Sequence, residues 1–140
     1  MSPRFEELAV GDLIPERERL VSREDVKAYA DASGDQNPLH QSDEVARAAG
    51  FPGVIAHGMF TMGHLASTVV AWAGPEGTLA RMRTAFRAPV LVGEKIVAGG
   101  SIRRLDVKTR TAMLDVWVRL ERNGTTEWPI KRSEAEVRFG

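Results

Sequence analysis

The chain is 140 residues long, balances 19 Lys+Arg against 19 Asp+Glu, and has no cysteine. Zero net charge excludes a globally basic nucleic-acid or membrane binder, and the lack of thiols excludes disulfides, thiolate metal sites and a cysteine nucleophile. With 43% apolar and 27% charged residues the composition fits one domain over 1–140, and an opening without a signal-like apolar run makes the cytoplasm the expected location.

Helical signals occupy the first half. Ser22 is placed to cap a helix over 23–32, with Asp25 at the capping-box position and Gly34 as the stop. Residues 29–40 then read Tyr-Ala-Asp-Ala-Ser-Gly-Asp-Gln-Asn-Pro-Leu-His. Pro38 fixes its own φ and pushes Asn37 toward extended geometry, so this segment is a rigid turn rather than helix. Two readings stay open for it. Asp35 caps backbone amides of the turn, or Asp35 and His40 converge on one water as a general acid/base pair. Ser42 can cap a short helix through Ala49, closed by Gly50.

Residues 50–61, Gly-Phe-Pro-Gly-Val-Ile-Ala-His-Gly-Met-Phe-Thr, lead into the most apolar element, Gly58–Ala73, which stops at Gly74-Pro75. A glycine opening a helix leaves N–H groups free at the positive end of the dipole, where an oxyanion would be held. Close helix–sheet packing also calls for glycine there, and the two roles are compatible. Apolar on nearly every side, this helix is expected to be buried. Its few polar groups, Thr61, His64 and Thr68, form one narrow stripe. Either their hydroxyls bond back to the helix, or the stripe faces a pocket or a partner subunit.

The second half alternates. In 81–88, Arg81, Arg83 and Arg87 are expected on one strand face, with Met82, Thr84, Phe86 and Ala88 on the other. A strand fits 94–105, with Gly99-Gly100 marking a bulge or bend. In 112–120 the residues Ala112, Leu114, Val116, Val118 and Leu120 share a face, and Asn123-Gly124 signals a hairpin into 125–139. The sum is an α+β fold, a long antiparallel sheet around one apolar helix. Charge is uneven: residues 1–50 carry net −5 and residues 81–110 net +6. That basic segment suits a local anionic group such as a phosphate, or is a solvated strand face.

The string Tyr29-Ala30-x-x-Ser33-Gly34-Asp35-x-Asn37-Pro38-Leu39-His40, with Gly50-Phe51 and Ile55-Ala56-His57-Gly58-Met59, resembles the MaoC-like dehydratases, including R-specific enoyl-CoA hydratases. Phe86-Arg87-Ala88-Pro89-Val90 with Gly93-Glu94 is also similar to that family, and the likeness weakens after about residue 125. The resemblance implies a hotdog fold and a dimer with substrate at the subunit interface. It implies Asp35 and His40 as the catalytic dyad, Asn37 as support for the turn, Gly58 or its neighbour as the oxyanion amide, and Thr61 near the substrate. His57 is read as structural, and His64 as a satisfied interior or interface histidine.

The activity implied is reversible hydration of trans-2-enoyl thioesters to R-3-hydroxyacyl thioesters. The acyl group would ride on the phosphopantetheine of coenzyme A or an acyl carrier protein, with Arg81, Arg83 and Arg87 at the carrier's anionic end. No other cofactor is implied, and three scattered histidines make a poor metal site. A hotdog thioesterase would need a carboxylate on the central helix, and residues 59–73 have none. A scaffold subunit would be expected to lose the acid/base pair, which this chain keeps. Pairing with a second copy, or with a related hotdog subunit, stays open.

Overall fold

A single helix carries the core of this protein. The computed structural model describes residues 2–140. Helix α3, Gly58–Ala73, starts and stops where the apolar run does, and Gly74 ends it at φ 72°. Five strands form one antiparallel sheet in the order β1-β3-β4-β5-β2, where β1 is Leu13–Leu20, β2 Gly77–Arg83, β3 Lys95–Asp106, β4 Thr111–Arg122 and β5 Thr125–Phe139. The sheet packs around α3, the hotdog arrangement. Leu65 and Val69 of α3 meet Ile96, Ala98, Ile102, Leu114, Val116 and Val118 of β3 and β4 in the core. Burying each such side chain contributes about 1.5–3 kcal/mol. Among the described residues no helix is long and apolar enough to cross a membrane.

Local signals are realised in detail. Helix α1, Arg23–Ser33, has Ser22 as its N-cap, accepting from Asp25 N–H, and Gly34 at φ 81° as its stop. The Asp25 carboxylate does not close the capping box; it pairs with Arg19 at 3.2 Å. Helix α2, Asp43–Ala48, has the Ser42 cap, and its last residue falls one short of Ala49. Asn123 and Gly124 turn β4 into β5 with positive φ at both positions, 53° and 75°, as a two-residue hairpin requires.

Three expectations are corrected. The helix is not buried all round. Thr61, His64, Leu65, Thr68, Val69 and Ala73 face the sheet, while Met59 and Val70 on the other side are half exposed in the single chain. The polar stripe is therefore the inner one. Thr68 bonds back to the His64 carbonyl at 2.8 Å, and His64 donates from Nε2 to the Arg17 carbonyl at 2.9 Å. Second, the strand through 81–88 ends at Arg83. Phe86 makes only an isolated bridge to Ile130, and it is exposed rather than inward. Third, the bulge at Gly99 is on the neighbouring strand, where Pro15 and Glu16 of β1 oppose it. Gly99 and Gly100 pair regularly with β4, and the register shift between β3 and β4 falls later, between Ile102 and Arg104. A Cβ on Gly99 would stand 2.9 Å from Trp117 Nε1, so close approach explains that glycine.

Strand β1 itself has no forerunner in the alternation argument. Its sequence, LIPERERL, holds one buried residue, Ile14. As an edge strand it tolerates a proline and charges on both faces.

Candidate active site

The turn after α1 is built by its own side chains. Asp35 N–H donates to Ser33 Oγ at 3.2 Å, Asn37 N–H to Asp35 Oδ1 at 3.2 Å, and Leu39 N–H to Asn37 Oδ1 at 3.0 Å. Asn37 thereby caps the 3-10 turn Pro38–His40. The turn-capping reading of Asp35 is realised, and it engages one of the two carboxylate oxygens. Oδ1 caps the turn, and Oδ2 stands 4.0 Å from His40 Nε2.

The second wall is a short run of chain before α3. Ala56 N–H donates to Val90 O at 2.8 Å and Val92 N–H to Val54 O at 3.1 Å, which ties 54–56 to 90–92. The Ile55 carbonyl is thereby held where it accepts from His40 Nδ1 at 2.7 Å. A carbonyl can only accept, so Nδ1 carries a hydrogen and Nε2 is the nitrogen left facing Asp35. The His40 side chain is 13% exposed against 53% for Asp35. The segment 87–94 is clamped in turn: Arg122 grips the Glu94 carboxylate at 2.6 and 2.8 Å and donates to Pro89 O at 3.0 Å, and this pairing raises the arginine's pKa.

A cavity of about 270 Å³ joins these pieces, lined by Tyr29, Ser33, Asp35, His40, His57, Gly58, Met59 and Phe86. An apolar neighbour of about 340 Å³ shares His40, Gly58 and Phe86 and adds Thr61, Ile55, Pro89 and Pro129. Gly58 opens α3 between them, and a Cβ there would sit 3.2 Å from the Phe86 ring. Thr61 lines only the apolar cavity.

Two of the three histidines are not scattered. One ligand-capable atom from each of Asp35, His40 and His57 lies within 4.8 Å of the others. His57 stacks on His40 with ring centroids 3.8 Å apart and planes at 22°, and Tyr29 leans on it at 4.9 Å. Its Nε2 donates to the Asp35 carbonyl at 3.0 Å. His64 lies apart against β1, and burial pushes its pKa below the ordinary histidine value.

The arginines fare differently. Arg83 and Arg87 line a groove of about 800 Å³ on the sheet face away from α3, together with Arg103, Lys131, Arg132, Trp117 and Trp128. Arg81 is not in that lining; it pairs in register with Glu136. A bulge sets Lys131 and Arg132 opposite Trp117, with Arg132 at φ 53°. Arg103 bridges Asp115 and Glu134 at 3.0 and 2.8 Å, and Arg83 approaches Glu134 at 3.8 Å. The guanidinium of Arg103 holds the Glu134 carboxyl below its usual range.

Sequence reasoning missed Tyr29 as a lining residue, although Tyr29 and Ser33 are spaced i, i+4 on one face of α1. It also missed the Ile55 carbonyl, a backbone group with no side-chain signal, and it placed Phe86 on a strand that ends three residues earlier.

A hotdog with a carboxylate and an imidazole facing each other beside the leading end of its helix has known counterparts. A family model described as a MaoC like domain matches residues 7–123. The chain is 39% identical over 90 residues to the mitochondrial 3-hydroxyacyl-[acyl-carrier-protein] dehydratase of Arabidopsis thaliana, over 64% of this chain and 53% of that one. To the 3-hydroxybutyryl-CoA dehydratase of Methylorubrum extorquens it is 32% identical over 111 residues, over 79% of this chain and 70% of that one. A solved MaoC-like dehydratase superposes with a TM-score of 0.87 at 37% identity, over 99% of this chain and 42% of that one. The chain belongs to the MaoC-like dehydratase family. It spans about half the length of the plant relative.

Proposed function

We propose that this chain catalyses reversible addition of water to trans-2-enoyl thioesters, giving R-3-hydroxyacyl thioesters. The observation that carries the reading is the 4.0 Å between Asp35 Oδ2 and His40 Nε2 in a cavity that also holds Gly58. A water at normal hydrogen-bond distance, about 2.8 Å, reaches both atoms at once. One member of the pair takes a proton from that water as its oxygen bonds to the β-carbon. The π electrons move to the thioester oxygen, where the N–H at the start of α3 and the helix dipole stabilise the charge. The enolate then collapses, and the pair returns a proton to the α-carbon. Atoms balance with no redox change.

The reaction as written needs no metal. Stacked rings keep the in-plane lone pairs of His40 and His57 side by side rather than convergent, and each ring already gives one nitrogen to a carbonyl. The thioester carrier is coenzyme A or an acyl carrier protein. A second hotdog subunit, identical or related, completes the site; the exposed apolar Met59 and Phe86 on the cavity lining support this.

Asp35→Asn and His40→Gln should each lower kcat for crotonyl-CoA hydration by about 10²–10⁴-fold, with far-ultraviolet dichroism unchanged. Wild-type turnover by either folded variant would overturn the assignment.

A further inference from the structure

We infer that His57 is a positioning residue that holds the two halves of the acid–base pair in register. The inference rests on the hydratase reading above. His57 is 3% exposed, and it touches both partners by different means. Through Nε2–H it holds the Asp35 carbonyl at 3.0 Å, and through its ring face it lies 3.8 Å under His40. It is also the N-cap of α3, where its own carbonyl accepts from Phe60 and Thr61 N–H at 3.0 and 3.3 Å. One residue thus links the carboxylate's backbone, the imidazole's plane and the helix end beside Gly58.

Its other nitrogen explains why a histidine stands here. Among the described residues Nδ1 is a buried polar atom with no hydrogen-bond partner. A packing role would be filled at less cost by phenylalanine, since an unpaired buried acceptor is unfavourable. The Nε2–H donor and a flat ring are both needed, and the idle Nδ1 follows from having both. The Asp35 carbonyl can only accept, so the hydrogen of that contact sits on Nε2. The titratable groups packed on it are Tyr29 of α1, Asp35 of the turn and His40 of the 3-10 turn.

Two variants separate the contributions. His57→Phe keeps a ring without the donor, and His57→Gln keeps a donor without the ring. Each should lower kcat about 10–100-fold by misplacing reacting groups. KM should change by less than about threefold, because the thioester's own contacts remain. In an Asp35→Asn background the same substitutions should add less than about threefold, since groups acting as a unit are not additive. Nitrogen-15 NMR of the wild-type chain should show His57 with a hydrogen on Nε2, as its bond to the Asp35 carbonyl requires. Wild-type kcat in either folded variant, full additivity with Asp35→Asn, or a His57 ring without a hydrogen on Nε2 overturns the inference. If the wild-type chain hydrates no enoyl thioester, the hydratase reading fails instead, and the tautomer measurement still tests His57. Should both variants fail to fold, that spectrum decides alone.

Discussion

The corner at the head of α3 and the groove on the outer sheet face hold charge in opposite ways. In the corner, each residue of the proposed pair is anchored through a backbone group: Asp35 Oδ1 by the Asn37 N–H, the Asp35 carbonyl by the His57 side chain, and His40 Nδ1 by the Ile55 carbonyl. In the groove, long arginines lie over neighbouring carboxylates, with Arg103 shared between Asp115 and Glu134. The corner encloses about 270 Å³ and the groove about 800 Å³, so cavity size ranks them the wrong way round for chemistry. A proton-transfer pair needs fixed geometry within hydrogen-bond reach. Carrier recognition by exposed cations needs only charge in the right region, and solvent screens it.

This contrast can be broken most sharply at the pair. Combining Asp35→Asn with His40→Gln should cost little more than the worse single variant, within about threefold in kcat, because neither residue acts without the other. An additive loss would mean they serve separate steps. Smaller is the expected effect of Gly58→Ala. Its methyl would press on the Phe86 ring at 3.2 Å and crowd the proposed oxyanion amide. kcat/KM should fall about tenfold, a modest misplacement. Phe86→Ala in the same chain should restore part of it, and no restoration would show that the methyl acts on the amide alone.

At the groove, Arg81, Arg83 and Arg87 all changed to Glu should raise KM for the thioester about tenfold and leave kcat nearly intact, the sum of three screened contacts of under about 1 kcal/mol each. The rise should shrink in high salt. An unchanged KM removes the carrier role, and Arg81, outside the lining, should contribute least when reversed alone.

The smallest effect concerns His64, a third histidine with no part in the pair. Burial lowers its folded-state pKa, so below the ordinary histidine value the unfolded chain takes up a proton that the folded chain does not. Its contribution to stability is complete above that value and lost as pH falls through it. In urea titrations His64→Gln should flatten the loss of stability between about pH 7 and 5. An identical slope in the variant would assign the acid sensitivity to other groups.

What could be read from the residues in order was whatever short-range chemistry decides. The apolar run from Gly58 to Ala73, the Asn123-Gly124 hairpin and the Asp35–His40 turn were all legible, because caps, turns and periodicity act over a few positions. The tertiary structure decided which way these pieces face. The stripe Thr61, His64, Thr68 turned inward because β1 offers the Arg17 carbonyl from 47 residues away. The strand begun at Gly77 stopped at Arg83, although alternation runs on past it. His57 met His40 only because 54–56 is pinned to 90–92. Such contacts join segments far apart in the chain through backbone carbonyls and ring faces, which leave no period or spacing in the order of residues.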